Sequence, residues 1–314
     1  MKNKKIAVIL PAYNEELTIV DTIVDFASQL PDAEIIIIDN NSKDRTFELA
    51  QGVMKEKNIK GRVLFESLQG KGYAVRKAFT EIDADIYVMA DADMTYPAKD
   101  VHKLVKPIIE GEADIVVGDR HSGGNYAEEN KRNLHGFGNN LVKNMINFLF
   151  SSNLKDIMSG YRVFNKKFVK NYPIMVDGFT LETNMTLHTL DKRFKIIEIP
   201  IDFVDRPEGS FSKLNTYSDG FKVILTIINI FRIYKPFKFY TIISFLFFFF
   251  TLLAGLPVVK EFIQFGVVNH IPLAILSIGL GIITVLSFSL GLILDAITHQ
   301  HNVEYEHKIL NYKD

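Results

Sequence analysis

The 314-residue chain contains no cysteine and no tryptophan. The missing cysteine excludes disulfides, thiol nucleophiles and cysteine-ligated zinc. Charge of one sign is lacking too: 36 Lys and Arg against 37 Asp and Glu leave a net charge of −1, so no global field points to nucleic acid. Eight histidines are scattered without His-x-x-x-His spacing, which leaves zinc hydrolysis without support. There is no Walker-type phosphate loop, and Gly70-Lys71-Gly72 lacks the third glycine of a dinucleotide fingerprint because Val75 stands in its place. The most informative absence is local. From Phe239 to Val259, and again from Ile271 to Leu294, the chain carries no Asp, Glu, Lys or Arg.

Each of these runs exceeds the ~20 apolar residues needed to cross ~30 Å of hydrocarbon, and neither shows the polar stripe of a core helix. They read as two transmembrane spans, about 238–259 and 271–296, joined by a connection too short to be a domain. A hairpin of this kind leaves both flanks on one side of the bilayer, and Lys222, Arg232, Lys235 and Lys238 assign that side to the cytoplasm. Residues 299–314 then form a cytoplasmic tail, and residues 1–236 the catalytic domain. The apolar run from Ile6 is short and broken by Pro11 and Asn14, so it reads as a strand and not as a signal peptide.

Within residues 1–100, short apolar runs alternate with helically spaced segments. Strands are expected at 5–10, 33–38, 62–66 and 85–90, and helices at 15–30, 44–57 and 73–82, the second helix capped by Ser42. Continuous apolar strands between helices imply a mostly parallel sheet covered on both faces. Ligands of such sheets sit beyond the carboxyl ends of the strands, where Pro11-Ala12-Tyr13-Asn14-Glu15, Asp39-Asn40-Asn41-Ser42 and Asp91-Ala92-Asp93 all fall. Asp91 and Asp93, one residue apart at a strand end, suit Mg²⁺ or Mn²⁺, ions held by one or two carboxylates plus substrate phosphates. The segments near 134–151 and 216–236 carry more apolar surface than one core-facing stripe needs, interspersed with Lys143, Lys222, Arg232 and Lys235. They read as helices lying in the membrane interface.

Together, Pro11-Ala12-Tyr13-Asn14-Glu15-Glu16, Asp39-Asn40-Asn41-Ser42 with Asp44 and Thr46, Gly70-Lys71-Gly72 and Asp91-Ala92-Asp93 resemble a family 2 glycosyltransferase of the GT-A fold. Gly118-Asp119-Arg120, the segment Asp156 to Arg162 and the segment Arg206 to Lys213 resemble its polyprenyl-phosphate branch, which includes dolichyl-phosphate mannose synthases and bacterial undecaprenyl-phosphate sugar transferases. The resemblance implies that Pro11, Tyr13, Glu15, Asp39 and Lys71 line the nucleotide-sugar pocket and that Asp91 and Asp93 hold the diphosphate and its metal. It implies that Arg120, Arg132, Arg206 and Lys213 surround the lipid phosphate and the leaving diphosphate, with Lys131 the competitor of Arg132. Asp156 and Arg162 are expected to pair and hold the Ser159-Gly160 turn; Glu182 falls near where processive relatives place a catalytic base, and a structural or orienting role stands beside that one. Two positions depart from the family pattern: Asn40 replaces a second aspartate, and Thr95 stands where mannose synthases carry glutamine.

The activity implied is inverting transfer of a sugar from a nucleotide-diphospho-sugar, UDP-linked, to a polyprenyl phosphate such as undecaprenyl phosphate, giving a donor for cell-envelope glycan modification. Expected partners are those two substrates, the lipid bilayer, further copies of the chain, and a flippase or downstream transferase. Two alternatives stay open. A processive polysaccharide synthase shares the fold but uses a Gln-x-x-Arg-Trp motif, and a non-catalytic membrane adaptor could retain the fold without transfer.

Overall fold

The computed structural model describes residues 4–122, 133–174, 181–204 and 219–312. It divides into two compact units, one ending at Val223 and joined by the last three residues, the other running from Ile224 to Asn311.

The first unit is built on a seven-stranded sheet: β1 (Ile6–Ala12), β2 (Glu34–Asp39), β3 (Gly61–Phe65), β4 (Ile86–Met89), β5 (Ile115–Asp119), β6 (Arg162–Asn165) and β7 (Ile196–Pro200), in the order β3-β2-β1-β4-β6-β5-β7. All pairings are parallel except those of β6, which runs antiparallel between β4 and β5. The helices α1 (Ile19–Gln29), α2 (Thr46–Glu56), α3 (Lys71–Glu81), α4 (Val101–Glu110), α5 (Asn133–Phe150), α6 (Lys166–Asn171) and α7 (Leu181–Asp191) connect them. Central strands are buried on both faces, which is why they read as unbroken apolar runs: Ala7, Val8, Ile9 and Leu10 are all solvent-inaccessible. Val8, Leu10, Ile35 and Ile37 pack with Ile19, Ile23 and Phe26 of α1 and Ala50 and Val53 of α2. Phe164 of β6 joins Phe168, Tyr172, His188 and Phe194 in an aromatic cluster of stacked and edge-on contacts.

The order in which strands are added reverses at β1, with β2 and β3 on one side and β4 on the other. In open sheets of this kind, ligands bind at such a switch point, outside the carboxyl ends of the strands. Helix α2 begins at Thr46 without a side-chain cap from Ser42. Ser42 Oγ instead accepts the Asn14 N–H at 3.0 Å, and Asp44 receives the Thr46 N–H. A hydroxyl expected to start a helix thus joins two loops, because the β1 loop lies within its reach.

The second unit contains most of α8 (Asp219–Tyr234), followed by α9 (Pro236–Phe265) and α10 (Ile271–Leu310). Both α9 and α10 are long and apolar enough to cross a membrane, and they pack as a pair. A Cβ at Gly291 would lie 2.9 Å from Tyr240 Cβ, so glycine allows the close approach there. Ser244 Oγ donates to the Thr284 carbonyl at 3.0 Å, satisfying a hydroxyl that apolar surroundings would penalise. Helix α10 continues without a break past Asp295 to Leu310, through most of the segment expected to be a separate tail.

Candidate active site

Three loops meet at the carboxyl ends of β1, β2 and β4. The first two are laced together: besides the Asn14–Ser42 bond, Lys43 N–H donates to Asn14 Oδ1 at 2.7 Å, Glu15 N–H to Thr46 Oγ1 at 2.8 Å and Glu16 N–H to Asp44 Oδ2 at 3.2 Å. Asn14 and Asn41 both hold left-handed backbone, at φ 52° and 59°, a conformation that asparagine tolerates better than most residues. This lacing fixes Asp39, which is 1% exposed at the end of β2. One of its oxygens accepts the Ser42 N–H at 3.2 Å, while Oδ1 is buried without a hydrogen-bond partner among the described residues. Buried unpaired acceptors are costly and rare. That oxygen is free to accept an N–H or O–H from a bound molecule. Pro11, Tyr13 and Glu15 lie half-buried along the neighbouring loop.

Asn40 takes a different role. Its carboxamide donates to the Leu68 carbonyl at 2.6 Å and accepts the Gly70 N–H at 2.6 Å. An aspartate could accept but not donate, so the departure from the family pattern has a local reason. The clamp sets the start of α3 and with it Lys71. The Lys71 ammonium contacts Asp91 Oδ1 and lies 2.6 Å from Glu182 Oε1 in the first turn of α7. Burial works against the charge on Lys71, but Asp91 and Glu182 together raise its pKa well above the usual lysine value.

Asp91 stands over Gly160, where an added Cβ would lie 2.7 Å from Asp91 Oδ2. The Gly160 N–H donates to the Tyr96 hydroxyl at 2.9 Å, and burial pushes that phenol up to about 12. Asp93 is 3% exposed, and its Oδ1 accepts from both the backbone and the hydroxyl of Thr95. Thr95, the second departure from the family pattern, therefore orients the aspartate itself. No group of three or more His, Asp or Glu side chains gathers as a metal cage among the described residues. Two carboxylates, one of them locked by hydrogen bonds, fit a hard divalent cation whose remaining ligands are phosphate oxygens and water. On those grounds Asp91 and Asp93 suit Mg²⁺ or Mn²⁺.

The expected pairing of Asp156 with Arg162 is corrected. Asp156 binds Arg120 in a two-pronged pair, Nε to Oδ2 at 2.7 Å and Nη2 to Oδ1 at 2.9 Å, and also accepts the Arg120 N–H. Burial opposes the charge on Asp156, yet the guanidinium holds its pKa below the ordinary aspartate value. Arg162, fully buried on β6, instead reaches neutral groups: the Ser159 and Ile157 carbonyls and the Thr186 hydroxyl. It still holds the Ser159-Gly160 turn, by carbonyls and not by a carboxylate. Arg120 extends from the end of β5, with its guanidinium 5.7 Å from the centre of the Phe203 ring. Arg132, Arg206 and Lys213, expected around the phosphates, lie outside the described residues, as does Lys131.

The structure thus brings Asp39, Asp91, Asp93 and Lys71 to one end of the sheet. Sequence reasoning missed the Lys71–Glu182 contact, the Asn40 clamp and the space that Gly160 leaves for Asp91. Only Asn40 carried a signal, as a departure from the family pattern. Comparison with known proteins agrees with this architecture. The profile of "Glycosyl transferase family 2" matches residues 7–172. Glycosyltransferase AglJ of Haloferax volcanii is 32% identical, over 71% of this chain and 70% of its own length. A dolichyl-phosphate hexose transferase of the same organism is 27% identical, over 72% of this chain and 93% of its own. The fold matches crystalline glucosyl-3-phosphoglycerate synthase of Mycobacterium tuberculosis, in complex with Mn²⁺ and uridine-diphosphate-glucose, with a TM-score of 0.54 at 21% identity, covering 73% of this chain and 78% of that one. The seven-stranded, mostly parallel sheet is of the GT-A type expected from the motifs, and the chain belongs to glycosyl transferase family 2.

Proposed function

We propose that this glycosyltransferase transfers a hexose, with inversion, from a UDP-linked sugar to a polyprenyl phosphate such as undecaprenyl phosphate. The reaction takes place at the cytoplasmic face of a cell membrane that α9 and α10 span, and its product serves cell-envelope glycan modification. The observation that carries the reading is the polar site at the sheet's switch point. There an unpaired buried Asp39 oxygen, which can take an N–H of a base, stands at the same sheet end as the Asp91/Asp93 carboxylates and the Lys71 ammonium, the groups a metal-bound diphosphate requires. The lipid acceptor is supported by the relatives named for dolichyl-phosphate transfer and by exposed Leu141 and Phe148 on α5 and Ile224, Leu225, Ile228 and Ile233 on α8.

In this reading Asp39 takes the N–H of the base, and Pro11 and Tyr13 flank the nucleoside. Asp91 and Asp93 would hold the divalent cation of the diphosphate, and Lys71 contacts Asp91 at the same strand end. A divalent cation, when bound, neutralises charge developing on the departing diphosphate. Lys71 adds positive charge for the same purpose, and the motif resemblance assigns that role to Arg120, Arg206 and Lys213 as well. The acceptor needs no deprotonation, because the second pKa of a phosphate monoester lies near ~6. Glu182 accordingly has no proton to remove, in keeping with its ion pair to Lys71. The chain's task is alignment of the phosphate oxygen with the anomeric carbon behind the leaving group.

The test is transfer of label by the purified full chain, in detergent with Mg²⁺ or Mn²⁺, from a panel of radiolabelled nucleotide sugars into undecaprenyl phosphate. One labelled, mild-acid-labile lipid is the expected product and names the sugar. Binding of a donor without label in lipid would refute the polyprenyl acceptor, and failure to bind any donor would revive the adaptor reading.

A further inference from the structure

Lys71 joins three separate elements of the site, and its position bears on how a metal could enter. The Asn40 clamp on Leu68 and Gly70 fixes the backbone at the start of α3, so the Lys71 side chain leaves from a defined point between its two carboxylate partners. Its two partners differ in setting: Asp91 lies at the strand end where the diphosphate is expected, whereas the Glu182 side chain is 12% exposed on α7. Asp91 Oδ1 is engaged by Lys71, while Oδ2 faces the space that Gly160 leaves by lacking a Cβ. A bare divalent cation approaching Asp91 therefore meets an ammonium already bound to the same carboxylate, and the two positive charges repel at contact distance. A cation arriving on the two negative charges of a sugar-linked diphosphate enters as a neutral unit, and it brings oxygens with which the displaced ammonium can pair.

We propose that Lys71 and Glu182 form a cation-exchange pair. Without donor, Lys71 neutralises Asp91; when a divalent cation arrives with a nucleoside diphosphate, Asp91 passes to the cation and Lys71, retained by Glu182, turns to the diphosphate. This rests on the metal-dependent donor reading above. Lys71 is then a substrate-binding residue and Glu182 a positioning residue that acts through it. Metal and nucleotide bind as a coupled unit, each raising the other's affinity by the same factor.

The experiment measures Mn²⁺ bound to the full chain in detergent by electron paramagnetic resonance, without nucleotide and with UDP or GDP, which needs no turnover. For the wild type, Mn²⁺ alone binds weakly and nucleotide tightens it by about tenfold or more. Lys71→Gln removes the competing cation, so Mn²⁺ alone binds about tenfold more tightly and the coupling shrinks. Glu182→Gln leaves the ammonium with Asp91 as its sole carboxylate, so Mn²⁺ alone binds more weakly than in the wild type. These opposite signs separate the exchange from simple loss of structure, which weakens binding in both variants. The exchange is overturned if Lys71→Gln binds Mn²⁺ alone no better than the wild type, or if both variants move in the same direction. A wild type that binds no Mn²⁺ even with nucleotide refutes the metal-dependent reading, and the exchange with it.

Discussion

Gly160→Ala places one methyl group against the carboxylate at the centre of the proposed site. The new Cβ would lie 2.7 Å from Asp91 Oδ2, 3.1 Å from Cγ and 3.2 Å from Oδ1. Ordinary contact begins at 3.4 Å, so relief requires a shift of about 3.4 − 2.7 = 0.7 Å. The backbone at 160 is poorly placed to give way: its N–H is bound to Tyr96, and Arg162 holds the preceding carbonyl at 2.8 Å. Asp91 must therefore move, taking its contact with Lys71 out of line. Misplacement of about 1 Å can cost ~10²-fold in rate, and we expect a loss of that order in kcat for lipid labelling. Overpacking by one methyl costs about 1–3 kcal/mol of stability, which leaves the domain folded with a Tm lowered by several degrees. Gly52→Ala is the control. It lies within α2 with nothing inside 4 Å of the new Cβ, and gains about 0.5–1 kcal/mol from helix propensity with activity unchanged. The assay pairs label transfer with thermal unfolding; a Gly160→Ala enzyme with wild-type kcat and metal requirement would show that Asp91 geometry does not limit the reaction.

Asp93→Asn is expected to abolish transfer while leaving the unfolding midpoint close to wild type, and retained turnover with ordinary metal dependence would remove Asp93 from the site. Asn40→Asp loses the donor to the Leu68 carbonyl; donor KM should rise about tenfold, or ~1.4 kcal/mol, at neutral pH. The loss should diminish as pH falls, because a protonated carboxyl can donate again, and a pH-independent defect would contradict the clamp. Arg162→Ala strands the buried Ser159 carbonyl, leaves the Ile157 carbonyl only the Thr186 hydroxyl at 3.3 Å, and should destabilise by about 2–5 kcal/mol in denaturant titration. The Asp156–Arg120 pair predicts acid sensitivity. The folded Asp156 pKa is depressed, so its stabilisation is complete above the unfolded value near 3.8 and is lost as pH falls below that value through the folded one. Asp156→Asn should flatten this part of the stability profile, measured as Tm against pH, and an unchanged acid limb would contradict the assignment.

Much of the first hundred residues was legible because buried parallel strands leave a plain signature. The runs at Ile6–Ala12 and Glu34–Asp39 are apolar on both faces, and the polar residues that follow them fall at one end of the sheet. Helix limits were less legible: the first helix begins at Ile19 and not at Glu15, since residues 15–18 turn so that Glu15 N–H can bind Thr46. Strand β6 was not recognised, being four residues long, antiparallel and carrying a buried arginine that no periodicity rule assigns to a sheet centre.

By itself the amino-acid sequence determined the class of molecule and the chemistry at the strand ends. Charge-free runs long enough to cross a membrane, apolar strands alternating with helices, and aspartates at 39, 91 and 93 are all properties of local pattern. Only the tertiary structure decided who pairs with whom. Lys71 meets Glu182 across 111 residues, Arg120 takes Asp156 from Arg162, and Gly160 makes room for Asp91. Such contacts depend on strand order and on distances of a few ångströms between segments remote in sequence, and charge or spacing along the chain does not encode which of several carboxylates a buried cation will reach.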